Sequence, residues 1–316
     1  MHPATGFGGT GIIYALVGIP LAVVAFVRWT IRGGSKRVLV VFMSIFLAVG
    51  LLASGGAWLA TRPPAVAAAF KDAKVPNLPA IPVLEYHGIS AKPESRKYAP
   101  YNVDVPAFTA QMAWLHAHGY HSIGMDQYVA WLYHKPVNLP SKPILITFDD
   151  GRADSQLALP TLHKYKFNAT MFVVTAFADY GSEGSKSWES WKALISDGWD
   201  LQFHAGALGH LTWRNPYYTR VPLAASQRDI NNGMTYFTRQ TGIVSRTWAI
   251  PNGAWTPALA QWAATRFQVV WLEQSYPTSE FIAKQYRMRY RLEITVGDPV
   301  SYMTSHLNDL KFNRTG

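Results

Sequence analysis

The chain has 316 residues, 49% of them hydrophobic and 15% charged, which is too apolar for a disordered chain and long enough for one large domain or two. Its formal net charge of +10 is spread without any cluster of five or more basic residues, so it carries no nucleic-acid footprint. With no cysteine in the chain, disulfides, zinc knuckles and thiol nucleophiles are excluded, a composition that suits an oxidising extracytoplasmic compartment.

Before Thr61 there is no acidic residue, and the only charges are Arg28, Arg32, Lys36 and Arg37. Gly11 to Val27 is an uncharged run closed by Arg28, and Val38 to Ala60 is a second apolar run. Crossing the hydrocarbon core takes roughly 17 to 25 residues, so the pair predicts two transmembrane helices, at about 11–31 and 38–60. The first 27 residues hold no Lys or Arg, so the basic start of a cleaved signal peptide is missing. The four cations sit at or between the two runs. The positive-inside rule places them in the cytoplasm and exports the rest of the chain. Residues 61–80 carry Pro63, Pro64, Pro76 and Pro79 among alanines, which predicts an extended linker. The expected organisation is a membrane anchor (1–60), a Pro/Ala-rich linker (61–80) and a folded domain (81–316).

From Ile81 the chain alternates short β-like runs with helix-like stretches. The runs are Ile81 to Glu85, Pro143 to Thr147, Ala169 to Val174, Asp200 to Phe203, Thr247 to Ile250, Gln268 to Trp271 and Arg289 to Val296. Asp104 is placed to cap a helix from Val105 to Ala117 that Gly119 closes, and Asp298 with Pro299 to open one carrying Met303 and Leu307 on one face. Seven strands, each followed by a helix, predict an α/β domain in the form of a distorted, closed or nearly closed β/α barrel.

The segment Ile144 to Gly151 reads as a buried strand that stops at two adjacent carboxylates and a glycine. In α/β folds such a strand end is where active sites are built, although Asp-Asp-Gly also suits a solvated turn. A second strand, Asp200 to Phe203, ends at His204, and a glycine-rich loop returns to His210. One carboxylate with two imidazoles is a ligand set suited to Zn²⁺ or a similar divalent ion, Co²⁺ and Ni²⁺ included, with a position left open for water.

These residues resemble the NodB-type polysaccharide deacetylases of carbohydrate esterase family 4, and within them the poly-N-acetylglucosamine deacetylases of bacterial biofilm systems. The resemblance covers roughly Ile81 to Val296. Thr147-Phe148-Asp149-Asp150-Gly151 is similar to the family's first motif, followed by Leu159-Pro160-Thr161-Leu162 and Asn168-Ala169-Thr170-Met171-Phe172-Val173. It implies Asp149 as general base and Asp150, His204 and His210 as metal ligands. The two histidines are five residues apart, Ala205 to Gly209, where the family has three or four. Arg246-Thr247-Trp248-Ala249-Ile250-Pro251-Asn252-Gly253 resembles the Arg, four residues, Pro-Tyr motif, with Asn252 in place of tyrosine. The resemblance implies that Arg246 orients the base and that the backbone N–H at Asn252 serves the oxyanion. Leu84-Glu85-Tyr86-His87-Gly88-Ile89 looks like the segment that supplies the general acid, which implies His87. His306 is a rival for that role and is expected to be structural.

The implied activity is metal-dependent removal of N-acetyl groups from an extracellular or cell-wall polysaccharide by a membrane-anchored enzyme. Its implied partners are the N-acetylated polymer and the synthase or export machinery that handles it. Trp213 and Trp255, in loops after site motifs, and Tyr217 and Tyr218, in a proline-flanked loop, are the candidates for lining a sugar groove. Trp188, Trp191, Trp199 and Trp262 fall in regular elements and are expected to pack. Two other readings compete. One is a degenerate deacetylase domain that binds polysaccharide without turning it over, favoured by the histidine spacing and Asn252. The other makes Asp149 a phosphoryl-accepting nucleophile, which the expected export disfavours.

Overall fold

Short strands buried on both faces are the mark of a parallel sheet covered on both sides. The chain closes a ring with seven such strands, of three to six residues. The computed structural model describes residues 81–92, 99–180, 184, 186–210, 215–273 and 287–307. The two expected membrane helices and the linker lie outside these residues. Among the described residues no helix is long and apolar enough to cross a membrane.

In chain order the strands are β1 (Val83–Tyr86), β2 (Gly88–Ser90), β3 (Asn102–Asp104), β4 (His121–Ser122), β5 (Pro143–Phe148), β6 (Thr170–Val174), β7 (Asp200–Ala205), β8 (Thr247–Ala249), β9 (Val269–Glu273) and β10 (Met288–Glu293). The helices are α1 (Val105–Ala117), α2 (Met125–Leu132), α3 (Leu159–Tyr165), α4 (Thr175–Tyr180), α5 (Trp188–Ser196), α6 (Tyr217–Arg220), α7 (Leu223–Thr241), α8 (Pro257–Arg266) and α9 (Val300–Leu307). Strand β1 pairs in parallel with both β5 and β10, and β5 through β10 run on in sequence, so these seven strands form a closed parallel barrel. The remaining strands are short. β4 continues the ladder at the start of β5, and β2 pairs with β3.

All seven predicted strands are present, with ends shifted by a few residues. One shift matters: β7 runs to Ala205, so His204 is inside the strand and not after it. The α1 helix is as expected, with the Asp104 side chain accepting the Ala107 N–H at 2.8 Å. Met303 and Leu307 are the buried residues of α9. Ahead of that helix the Asp298 carboxylate accepts the N–H and hydroxyl of Thr295 at 2.7 and 2.8 Å.

Alternate strand residues point to opposite faces, and the core divides by that parity. Val83, Leu145, Phe172, Ala249, Val269 and Trp271 form one buried cluster with Met125, Tyr128, Val129, Trp131 and Leu132, so α2 plugs the barrel's lower end with apolar side chains. Their neighbours Leu84, Tyr86, Ile144, Ile146, Phe148, Met171 and Val173 face outward into the larger cluster under the other helices. Continuing the inward parity toward the carboxyl ends gives Glu85, Thr147, Asp149, His204 and Arg291, all buried. The barrel is therefore oily at one end and polar at the other, and the polar end is where parallel barrels carry their chemistry.

Candidate active site

Asp149 and Asp150 follow β5 directly. Asp150 has φ of 76°, in the left-handed region that Asp tolerates better than most residues, and this turn sends the two adjacent carboxylates to different partners. Asp150 meets the histidines. Its Oδ1 lies 3.3 Å from His204 Nε2 and 2.8 Å from His210 Nε2, and the three ligand atoms fall within 4.8 Å of one another. Strand β8 fixes His204 twice. The His204 Nδ1–H donates to the Ala249 carbonyl at 2.9 Å, and Trp248 Nε1–H donates to the His204 carbonyl at 2.7 Å.

That first bond decides the tautomer. With the hydrogen on Nδ1, the Nε2 lone pair faces the Asp150 carboxylate, and Oδ1 makes no hydrogen bond of proper geometry among the described residues. Two lone pairs facing each other repel unless a cation lies between them, so the donor set fits a divalent metal held by one carboxylate and two imidazoles.

Asp149 instead meets a buried arginine. Arg291 donates from Nη1 to Asp149 Oδ1 at 2.6 Å and from Nη2 to Oδ2 at 2.7 Å, a two-pronged pairing, and Nη2 also donates to Glu85 Oε1 at 2.7 Å. Arg291, Asp149 and Glu85 are all fully buried. Burial would raise Asp149, and Arg291 together with His204 and His87 outweighs it, so the carboxyl titrates below its ordinary value. Glu85 has one bond from the shared guanidinium, and there burial wins, holding it well above the ordinary range. His87, just past β1, is 8% exposed, and its ligand atom lies within 4.8 Å of those of Glu85 and Asp149. The ring of Tyr101, itself 46% exposed, packs 5.1 Å from it.

Arg246 does not orient Asp149. It precedes β8 and so stands at the opposite end of the barrel from the carboxylates, where its half-exposed side chain pairs with Asp126 at 3.3 Å. Arg291 occupies the position expected of it. The sequence did not single it out, because Arg289 and Arg291 share one parity of β10 and only the fold shows which of them meets the carboxylates.

Asn252 lies beyond Ala249 in the loop after β8, with φ 59° and ψ 19°. Asparagine is among the few residues that adopt this left-handed conformation readily, which is a physical reason for it to replace tyrosine. Of the sugar-groove candidates, Tyr218 is only 2% exposed and gives its hydroxyl hydrogen to Asp229 at 2.8 Å, so it lines no groove. Tyr217 and Trp255 are partly buried against the core, and Trp213 lies outside the described residues. Trp188, Trp191 and Trp199 are buried and Trp262 partly so, as expected of packing residues. His306 Nδ1 bonds within its own helix, to Tyr302 O at 2.8 Å.

Residues 137–268 match the family model for polysaccharide deacetylases. This segment is similar to a polysaccharide deacetylase domain. Among curated relatives, YxkH of Bacillus subtilis (strain 168) is 32% identical over 167 residues, covering 52% of this chain and 55% of that protein. The poly-beta-1,6-N-acetyl-D-glucosamine N-deacetylase of Staphylococcus aureus (strain MSSA476) is 26% identical over 165 residues, covering 50% and 56%. The chain thus spans about half the length of the curated relatives it matches. Among solved structures, the Streptococcus pyogenes deacetylase PplD in complex with acetate superposes with a TM-score of 0.62 at 21% identity, covering 73% of this chain and 99% of that one. IcaB from Ammonifex degensii gives 0.59 at 22% identity, covering 72% and 97%. These two establish likeness of fold. The matched segment contains the carboxylate pair and both histidines but neither His87 nor Arg291, which barrel closure brings to it.

Two predictions follow from this electrostatic arrangement. Replacing Arg291 by Met leaves two buried carboxylates without their cation, and unfolding measurements should show a loss of about 3–5 kcal/mol; Arg246→Ala, at the surface, should change stability by less than about 0.5 kcal/mol. Glu273, at the end of β9, is raised to about 8 by burial and by Glu293. A raised acid favours the fold fully below its ordinary 4.5 and loses that contribution as pH climbs to about 8. Glu273→Gln should therefore gain melting temperature over the unchanged protein across that interval, with no gain below it.

Proposed function

We propose that the chain is a membrane-anchored, metal-dependent N-deacetylase of a polymer of N-acetylated amino sugars, working outside the cytoplasm. The observation that carries this reading is the convergence of two sets of groups at one barrel mouth. One is the metal-ligand set Asp150, His204 and His210; the other is a buried carboxylate held by Arg291, with His87 beside it. The S. aureus relative, named for β-1,6-linked N-acetyl-D-glucosamine, supports that polymer as the first substrate to try.

Amide hydrolysis needs an activated water, a stabilised oxyanion and a proton for the departing nitrogen. When bound by Asp150, His204 and His210, a divalent ion, with Zn²⁺ the first candidate, supplies Lewis acidity to the acetyl group and its attacking water. Asp149, kept ionised by Arg291, takes a proton from the water. The expected export disfavours the reading of Asp149 as a phosphoryl-accepting nucleophile. The backbone N–H at Asn252 donates to the oxyanion. His87 delivers a proton to the amine as the carbon–nitrogen bond breaks, and acetate and a free amino sugar result. The two sequence departures that favour a binding module have structural accounts: the left-handed backbone at Asn252, and a loop that closes His210 onto Asp150.

Asp149→Asn keeps shape and removes the proton acceptor. Acetate release from β-1,6-linked N-acetylglucosamine oligomers should fall roughly 10² to 10⁴ fold while bound metal, measured by elemental analysis, stays near that of the unchanged protein. Loss of metal together with activity would mean that Asp149 is a ligand. For the location, the Arg28 to Arg37 cluster supports an exported domain. A reporter active only outside the cytoplasm, fused after Gly316, should be active, and a silent one would overturn the export reading.

A further inference from the structure

His210 reaches Asp150 across the loop Gly206 to Gly209 after β7, and the middle of that loop has little packing of its own. Ala207 is exposed, and the Leu208 side chain is 39% exposed. What holds the loop is a single carboxylate on α7. Asp229, 8% exposed, accepts the N–H of Ala207 and of Leu208 on Oδ1 at 3.1 and 3.0 Å, and that of Gly209 on Oδ2 at 3.2 Å. The Tyr218 hydroxyl completes the set on Oδ2 at 2.8 Å. Burial, with Asp229 alongside, keeps the Tyr218 phenol well above its ordinary pKa and so a donor.

The seat is close-fitting at both ends of the loop. A Cβ on Gly206 would stand 2.6 Å from the Asp229 carbonyl oxygen, and one on Gly209 would overlap the Tyr218 hydroxyl. Three consecutive amide N–H groups turned to one anion form a concave seat that needs a negative charge at its centre. Here the protein supplies that charge from within.

We propose that Asp229, backed by Tyr218, is the positioning residue for His210: it folds the loop Gly206 to Gly209 back on itself so that the second imidazole arrives at the Asp150 carboxylate. This rests on the reading of His210 as a metal ligand given above. It explains how a spacing longer than the motif's can serve the same site, and it makes α7 part of the metal-binding apparatus without touching the ion.

The test uses the full chain, purified, stripped with chelator and titrated with Zn²⁺ against a chromogenic competitor, with Co²⁺ absorption as a second readout. Asp229→Ala should weaken Zn²⁺ binding about 10–100 fold, the usual scale for groups that orient a ligand, and should move the Co²⁺ spectrum toward that of His210→Ala. Tyr218→Phe should weaken binding less, in the same direction. Combined with His210→Ala, neither substitution should weaken binding further. The proposal falls if folded Asp229→Ala binds Zn²⁺ as the unchanged protein does, or if its effect is as large in the His210→Ala background. Where Asp229→Ala does not fold, Tyr218→Phe decides by the same two outcomes. If His210→Ala alone leaves Zn²⁺ affinity intact, the ligand reading fails and this proposal fails with it; a weakened His210→Ala beside an unaffected Asp229→Ala overturns the proposal alone.

Discussion

A guanidinium sealed inside a barrel is stable only if its charge is answered on the spot, and Arg291 is answered by Asp149 and Glu85. Removing an ion from water costs several kcal/mol even after relaxation, so these three side chains cannot be placed independently. The pairing joins β10 to β1 and to the end of β5 at the point where the ring closes. It also sets the protonation states, because Asp149 takes two bonds from the cation and stays ionised while Glu85 takes one and is pushed toward neutrality. Asp149 is here charged for the same reason that the barrel holds together.

Much of this was legible in the sequence. The seven barrel strands announce themselves as short runs rich in Val, Ile, Leu and aromatics, and Asp104 marks the start of α1 by its capping side chain. The cluster of Asp150, His204 and His210 was readable because carboxylates and histidines at the ends of barrel strands have few structural reasons to be there. What local pattern could not supply was the face of the barrel on which a charge lies. Arg246 sits near Pro251 in sequence, yet the length of β8 separates it from the carboxylates, whereas Arg291 is 142 residues from Asp149 and within 2.6 Å of it. Tyr218 likewise reads as a loop aromatic, and only the fold shows its hydroxyl on a buried Asp.

The departures from the family pattern are local solutions to backbone geometry. Asn252 stands where φ is positive, and the longer loop to His210 is drawn in by Asp229 through its own amides. Each is a change in how a group is held and not in which group is present. This is consistent with a scaffold whose outward parity packs under helices while its inward parity keeps the same chemistry.

Barrel closure through β1 and β10 also has a consequence in time. Glu85 and Arg291 are 206 residues apart in the chain, so the clamp on the base is a contact of very long sequence separation, and such contacts are made late because loop closure must precede them. Until β10 docks, Asp149 is open to water, which keeps it ionised but leaves it without the partner that fixes its position. A domain that emerges amino end first therefore carries Asp150, His204 and His210 well before Arg291 clamps Asp149, and the polar mouth of the barrel is completed only with the last strand.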